Sequence, residues 1–115
     1  MPASLPRLIF LGTLAAVLGS SGPVLADDPI GIDVTLKDHR FTPSQIHVPA
    51  GKRVDLHIRN EDAAAEEFDS SALKIEKIVA AKSSAVVHLR PLGPGRFPFV
   101  GEFHPDTAKG EVISE

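Results

Sequence analysis

The chain of 115 residues contains no cysteine, tryptophan or tyrosine, and its one methionine is Met1. Without cysteine there is no disulfide to staple a small fold and no thiolate to act as nucleophile or soft metal ligand. Without an internal methionine there is no thioether ligand either. Positive charge is also scarce, with 12 Lys and Arg against 15 Asp and Glu, a net charge of −3. That balance argues against a nucleic-acid surface, which needs a basic patch. No apolar run reaches the ~20 residues of a spanning helix, and no long helical periodicity is present. What remains must fold by its own core or around a bound ion.

The first residues have the layout of a secretory signal peptide. Arg7 supplies the positive region, and Leu8 to Leu18 is an apolar run broken only by Gly12 and Thr13. Val24-Leu25-Ala26 is a small-residue cleavage site before Asp27-Asp28. The expectation is a cleaved segment over 1–26, with no lipid anchor because no cysteine follows. A single domain over 27–115 remains, with no membrane span after cleavage. Removing Arg7 leaves 11 basic against 15 acidic residues, a net charge of −4. Such a surface suits an exported protein and weakly favours cationic ligands.

Within 27–115 the apolar residues alternate with period two, the mark of half-buried strands. Ile30, Ile32, Val34 and Leu36 alternate with Gly31, Asp33 and Thr35. Val54, Leu56 and Ile58 alternate with Asp55, His57 and Arg59, and Ala85, Val87 and Leu89 with Val86 and His88. Gln45–Val48, Phe97–Val100 and the tail carrying Val112 and Ile113 read as further strands. Pro49-Ala50-Gly51-Lys52 carries the chemistry of a type II turn. Ala63-Ala64-Ala65-Glu66-Glu67 has helical propensity but is too short to stand alone. It reads as a loop with at most one helical turn. Leu73 to Val79 reads as a strand or an irregular crossing. Short strands spaced by Pro and Gly turns, without internal repeats, predict an all-β sandwich or barrel of one domain.

No serine lies in a strand–elbow–helix context, and the glycines form no phosphate loop. One stretch does carry ligand chemistry. The strand Gly95 to Val100 gives way at Gly101 to Glu102-Phe103-His104, two possible metal ligands at a strand end, where a rigid scaffold commonly displays a site.

Several motifs resemble the cupredoxin family. Phe41-Thr42-Pro43-Ser44-Gln45-Ile46-His47-Val48-Pro49-Ala50-Gly51 is similar to that family's F-x-P-x-x-I-x-V-x-x-G segment. Val54 to Asn60 resembles its next strand, which ends in Asn. Pro94-Gly95-Arg96-Phe97-Pro98-Phe99 resembles the strand that feeds its metal loop, and Lys109 to Ile113 its closing strand. The resemblance implies a cupredoxin-like Greek-key β-sandwich. It also implies that the loop with Glu66 and Glu67 and the loop with Glu102 and His104 share one end of the barrel. The departures from the family are equally specific. A blue-copper site uses two His, a Cys thiolate and usually a Met. The Cys position falls at or next to Gly101, so no type 1 copper site can form.

Glu66-Glu67-Phe68-Asp69-Ser70, Leu73-x-x-Glu76-Lys77 and Gly101-Glu102-Phe103-His104 narrow the resemblance. They are similar to periplasmic cupredoxin-like proteins associated with bacterial ferrous-iron permeases. That resemblance implies a periplasmic protein binding copper or iron, Cu(II) or Fe(II), that assists ferrous-iron uptake beside a membrane permease complex and other periplasmic iron-uptake proteins. Whether it oxidises Fe(II) stays open. The expected ligands are His104, Glu102 and Glu67, with Glu66, Asp69 and Glu76 as further candidates. One imidazole with several carboxylates is a hard to borderline set, suited to Cu(II), Fe(II), Mn(II) or Zn(II). The remaining histidines, His39 among them, are expected outside this site. Two rival readings keep the same sandwich: a copper carrier or chaperone without an iron role, and a metal-free interaction module.

Overall fold

The alternating segments form nine strands in a computed structural model that describes residues 27–115. The signal peptide expected over 1–26 lies outside the described residues. The strands are β1 (Ile30–Lys37), β2 (Arg40–Thr42), β3 (Gln45–Val48), β4 (Val54–Asn60), β5 (Glu66–Ser70), β6 (Ile75–Val79), β7 (Ser84–Leu89), β8 (Gly95–Gly101) and β9 (Lys109–Ser114). They make a four-stranded sheet in the order β2-β1-β4-β7 and a five-stranded sheet in the order β3-β9-β8-β5-β6. Among the described residues no helix is long and apolar enough to cross a membrane.

The period-two pattern assigns the faces. Val34 and Leu36 of β1, Val54, Leu56 and Ile58 of β4, and Val87 and Leu89 of β7 are buried on the inner face of the first sheet. Ile46 and Val48 of β3, Val112 of β9, Phe99 of β8 and Phe68 of β5 are buried on the second. Phe68 stacks on Phe99 with centroids 4.7 Å apart, and Phe41 meets both rings edge-on at 6.0 and 5.2 Å. This cluster ties β2, β5 and β8 together. At Gly51 the backbone takes φ +78°, the left-handed value that the third position of a type II turn requires.

One segment departs from the sequence reading. Glu66–Ser70 is a strand, paired antiparallel with β6 and β8, and neither a loop nor a helical turn. Its inner face reads Glu66, Phe68, Ser70, all buried. Pairing on both sides outweighs the weak helical propensity of the alanines before it.

The topology gathers the connections that matter at one end. β1 and β4 run parallel in register, with Leu36 beside Asn60, so the turn after β1 and the loop after β4 emerge together. The Glu61 amide donates to the Leu36 carbonyl at 2.8 Å and joins them. β5 starts at the same end, and β8, antiparallel to it, finishes there with Gly101 opposite Phe68. The loop 102–108 therefore faces the β1–β2 turn.

Candidate metal centre

At this end three side chains meet: His39 from the β1–β2 turn, Glu66 at the start of β5 and His104 from the loop after β8. One ligand atom from each lies within 4.8 Å of the others. His104 Nδ1 is 2.6 Å from Glu66 Oε2. The His39 and His104 rings stack with centroids 3.6 Å apart and planes 11° apart. Burial grades outward: the side chains of Glu66, His104 and His39 are 2%, 28% and 43% exposed.

Glu66 is held in place by protein groups. Its Oε1 accepts the amides of Phe103 at 2.8 Å and Glu67 at 3.1 Å, while Oε2 takes His104. A buried carboxylate needs such partners. Gly101 makes room for it, since a Cβ there would lie 2.7 Å from Glu66 Cδ and 2.6 Å from Ala108 Cβ.

The six expected ligands divide between the two faces of β5. Glu66 joins His104 inside. Glu67 and Asp69 alternate to the outer face, where they meet Glu76 of β6 with ligand atoms within 4.8 Å. Glu102 is exposed, and its amide donates to the Glu67 carbonyl at 2.8 Å. The grouping of His104 with Glu102 and Glu67 therefore does not form as expected, because successive side chains of a strand point to opposite faces. Of Phe103 and Phe68, the first is half exposed and the second belongs to the core.

His39 is the residue that sequence reasoning left out of the site. The parallel β1–β4 pair, which spacing in the sequence does not reveal, sends the His39 turn and the Asn60 loop to one end. The other histidines lie elsewhere: His47 faces Glu115 at 2.8 Å, His88 faces Asp55 at 2.7 Å, and His57 is exposed on β4.

On the outer face the carboxylates repel one another. Partial burial, and then the charges of Glu76, Asp69, Glu102 and Glu66, hold the Glu67 carboxyl above the ordinary glutamate value of 4.5. A raised carboxyl pKa favours the folded state at low pH, and that contribution fades as pH rises through the raised value. Glu67→Gln is therefore expected to melt slightly higher than the wild type at pH 7, with the difference closing below pH 4.5. Equal melting curves at neutral pH would count against this repulsion.

The donor set is two imidazoles and one carboxylate, without thiolate or thioether. It fits a borderline divalent ion such as Cu(II), Zn(II) or Fe(II), and does not fit a type 1 copper centre.

Comparison with known proteins agrees with the architecture. The family model described as a cupredoxin-like domain matches residues 8–114. The uncharacterized protein RP394 of Rickettsia prowazekii (strain Madrid E) is 40% identical over 107 residues, covering 92% of this chain and 86% of its own. The metal-binding domain of the Streptococcus pneumoniae Cu(I)-exporting P-type ATPase CopA, solved with Cu(I), superposes with a TM-score of 0.67. The two are 15% identical, over 79% of this chain and 91% of that one. Auracyanin A, a blue copper protein of Chloroflexus aurantiacus, gives 0.65 at 13% identity, over 76% of this chain and 100% of its own. At such identities the solved structures speak for the fold. With a family model spanning nearly its whole length, this chain belongs to the cupredoxin-like domain family.

Proposed function

We propose that this protein binds a divalent metal ion, copper foremost, through His39, Glu66 and His104. The observation that carries the reading is the convergence of three ligand atoms, from two connections and the start of β5, within 4.8 Å at one end of the sandwich. The anchored Glu66 carboxylate offers charge to neutralise a cation, and the two imidazoles favour Cu(II) among common divalent ions. Such an ion competes with protons for the imidazole nitrogens, so its affinity falls as pH falls.

From the motifs at 66–70, 73–77 and 101–104 we further infer a periplasmic place and a role beside a ferrous-iron permease complex. A carboxylate ligand stabilises Cu(II) over Cu(I) and makes the ion a weak oxidant, so we assign metal holding or delivery before Fe(II) oxidation. A copper carrier without an iron role would use the same three residues.

Titrating the purified protein with Cu(II), Zn(II) and Fe(II) tests the reading. One Cu(II) per chain is expected. In the double variant His39→Ala/His104→Ala the affinity falls by about 100-fold or more, since both imidazole ligands are gone. A wild type that binds no better than this variant leaves the metal-free interaction module as the surviving reading.

A further inference from the structure

His39 occupies an unusual backbone position. Asp38 and His39 form the whole connection between β1 and β2, closed by the Lys37–Arg40 pair. Their φ values are +53° and +59°. Two successive left-handed residues make the tight hairpin turn that Asn-Gly or Asp-Gly usually fills. Histidine tolerates this conformation but at a cost, so something must hold it there.

That something is Asp62. Its Oδ1 accepts the Asp38 amide at 2.7 Å and its Oδ2 the His39 amide at 2.9 Å. Asp62 is in turn fixed, because its own amide donates to Asn60 Oδ1 at 2.9 Å. Asn60 is buried, with its Nδ2 within 2.9 to 3.2 Å of the carbonyls of Ala64, Val79 and Ala80. The amide bonds to His39 and Asp38 hold the Asp62 carboxyl below the ordinary aspartate value, burial opposing them. Asp62 Oδ2 also lies 3.5 Å from His39 Nδ1.

We propose that Asp62 is the positioning residue of His39: it clamps the left-handed turn and lays the ring flat on His104. The ligand consequence rests on the metal-site reading above. The clamp and the stack do not, because both are contacts between protein groups alone.

The experiment therefore begins without metal. In the wild type, ring protons of His39 and His104 are shifted upfield by each other and give a cross-ring nuclear Overhauser effect. Asp62→Ala is expected to abolish both signals in protein that stays folded, while the His104 contact with Glu66 persists. Asp62→Asn, which keeps one carbonyl acceptor, retains them in part and serves should the alanine variant fail to fold. Cu(II) affinity then falls by about 10- to 100-fold in Asp62→Ala, the usual effect of removing a group that orients a ligand. A residue that merely supported the fold would lower the melting temperature and leave the stack intact. An unchanged stack in folded Asp62→Ala or Asp62→Asn overturns the proposal. If the wild type binds no Cu(II) yet its stack depends on Asp62, the clamp stands and the metal-site reading falls.

Discussion

Phe68→Ala is expected to cost about 3–5 kcal/mol of folding stability, the range for truncating a buried phenylalanine. The ring is 1% exposed and stacked 4.7 Å from Phe99, with Phe41 edge-on at 6.0 Å. No neighbour is free to collapse into the vacated space, since Phe41 and Phe99 are themselves held on paired strands. A domain of this size has a total stability of about 5–15 kcal/mol, so the variant sits near the edge of folding. Metal binding should fail with it, because Glu66 is two residues before Phe68 on the same face. Urea unfolding followed by circular dichroism measures the loss. A midpoint within a few tenths molar of the wild type would show that the aromatic cluster does not hold the sandwich.

Glu66→Gln should lower Cu(II) affinity by about 100-fold, as removal of the single anionic ligand removes the charge that offsets the ion. The amide oxygen can still accept from Phe103 and Glu67, while its NH2 group takes the place of Oε2 opposite His104, so circular dichroism of the variant is recorded beside the titration. Glu66→Leu goes further. It leaves the Phe103 and Glu67 amides without their acceptor, at about 1–3 kcal/mol for each donor left buried and unsatisfied. Glu67→Gln is the internal control, with affinity unchanged within about 3-fold, because its side chain lies on the far face of β5. A titration in which Glu67→Gln matters and Glu66→Gln does not would reverse the assignment of faces.

Much of the fold was legible because strands β1, β4 and β7 have one apolar and one polar face. β5 hid itself for a physical reason. Its buried face reads Glu66, Phe68, Ser70, so only one of three inward residues is apolar and the alternation points nowhere. That ambiguity of phase also made Glu67 look the better ligand. The pairing of His104 with the 66–67 segment was legible through resemblance, which puts both connections at one end. His39 was not, since its contact with His104 spans most of the domain and depends on the parallel β1–β4 pairing. Sequence spacing carries no trace of such a register. Asp62 was equally silent: an Asn-Glu-Asp segment reads as a polar strand end until the turn it grips is in view.

The close fit around Gly101 constrains how this site and a blue-copper site could interconvert. The thiolate of the blue-copper relatives belongs at or beside this position, yet the first carbon of any side chain here would fall within 3 Å of the Glu66 carboxylate. The two chemistries therefore compete for one small volume. An ancestor passing from one to the other, or an engineer attempting it, must both trim the acid and shift Ala108, which a side chain here would meet at 2.6 Å, before adding the sulfur.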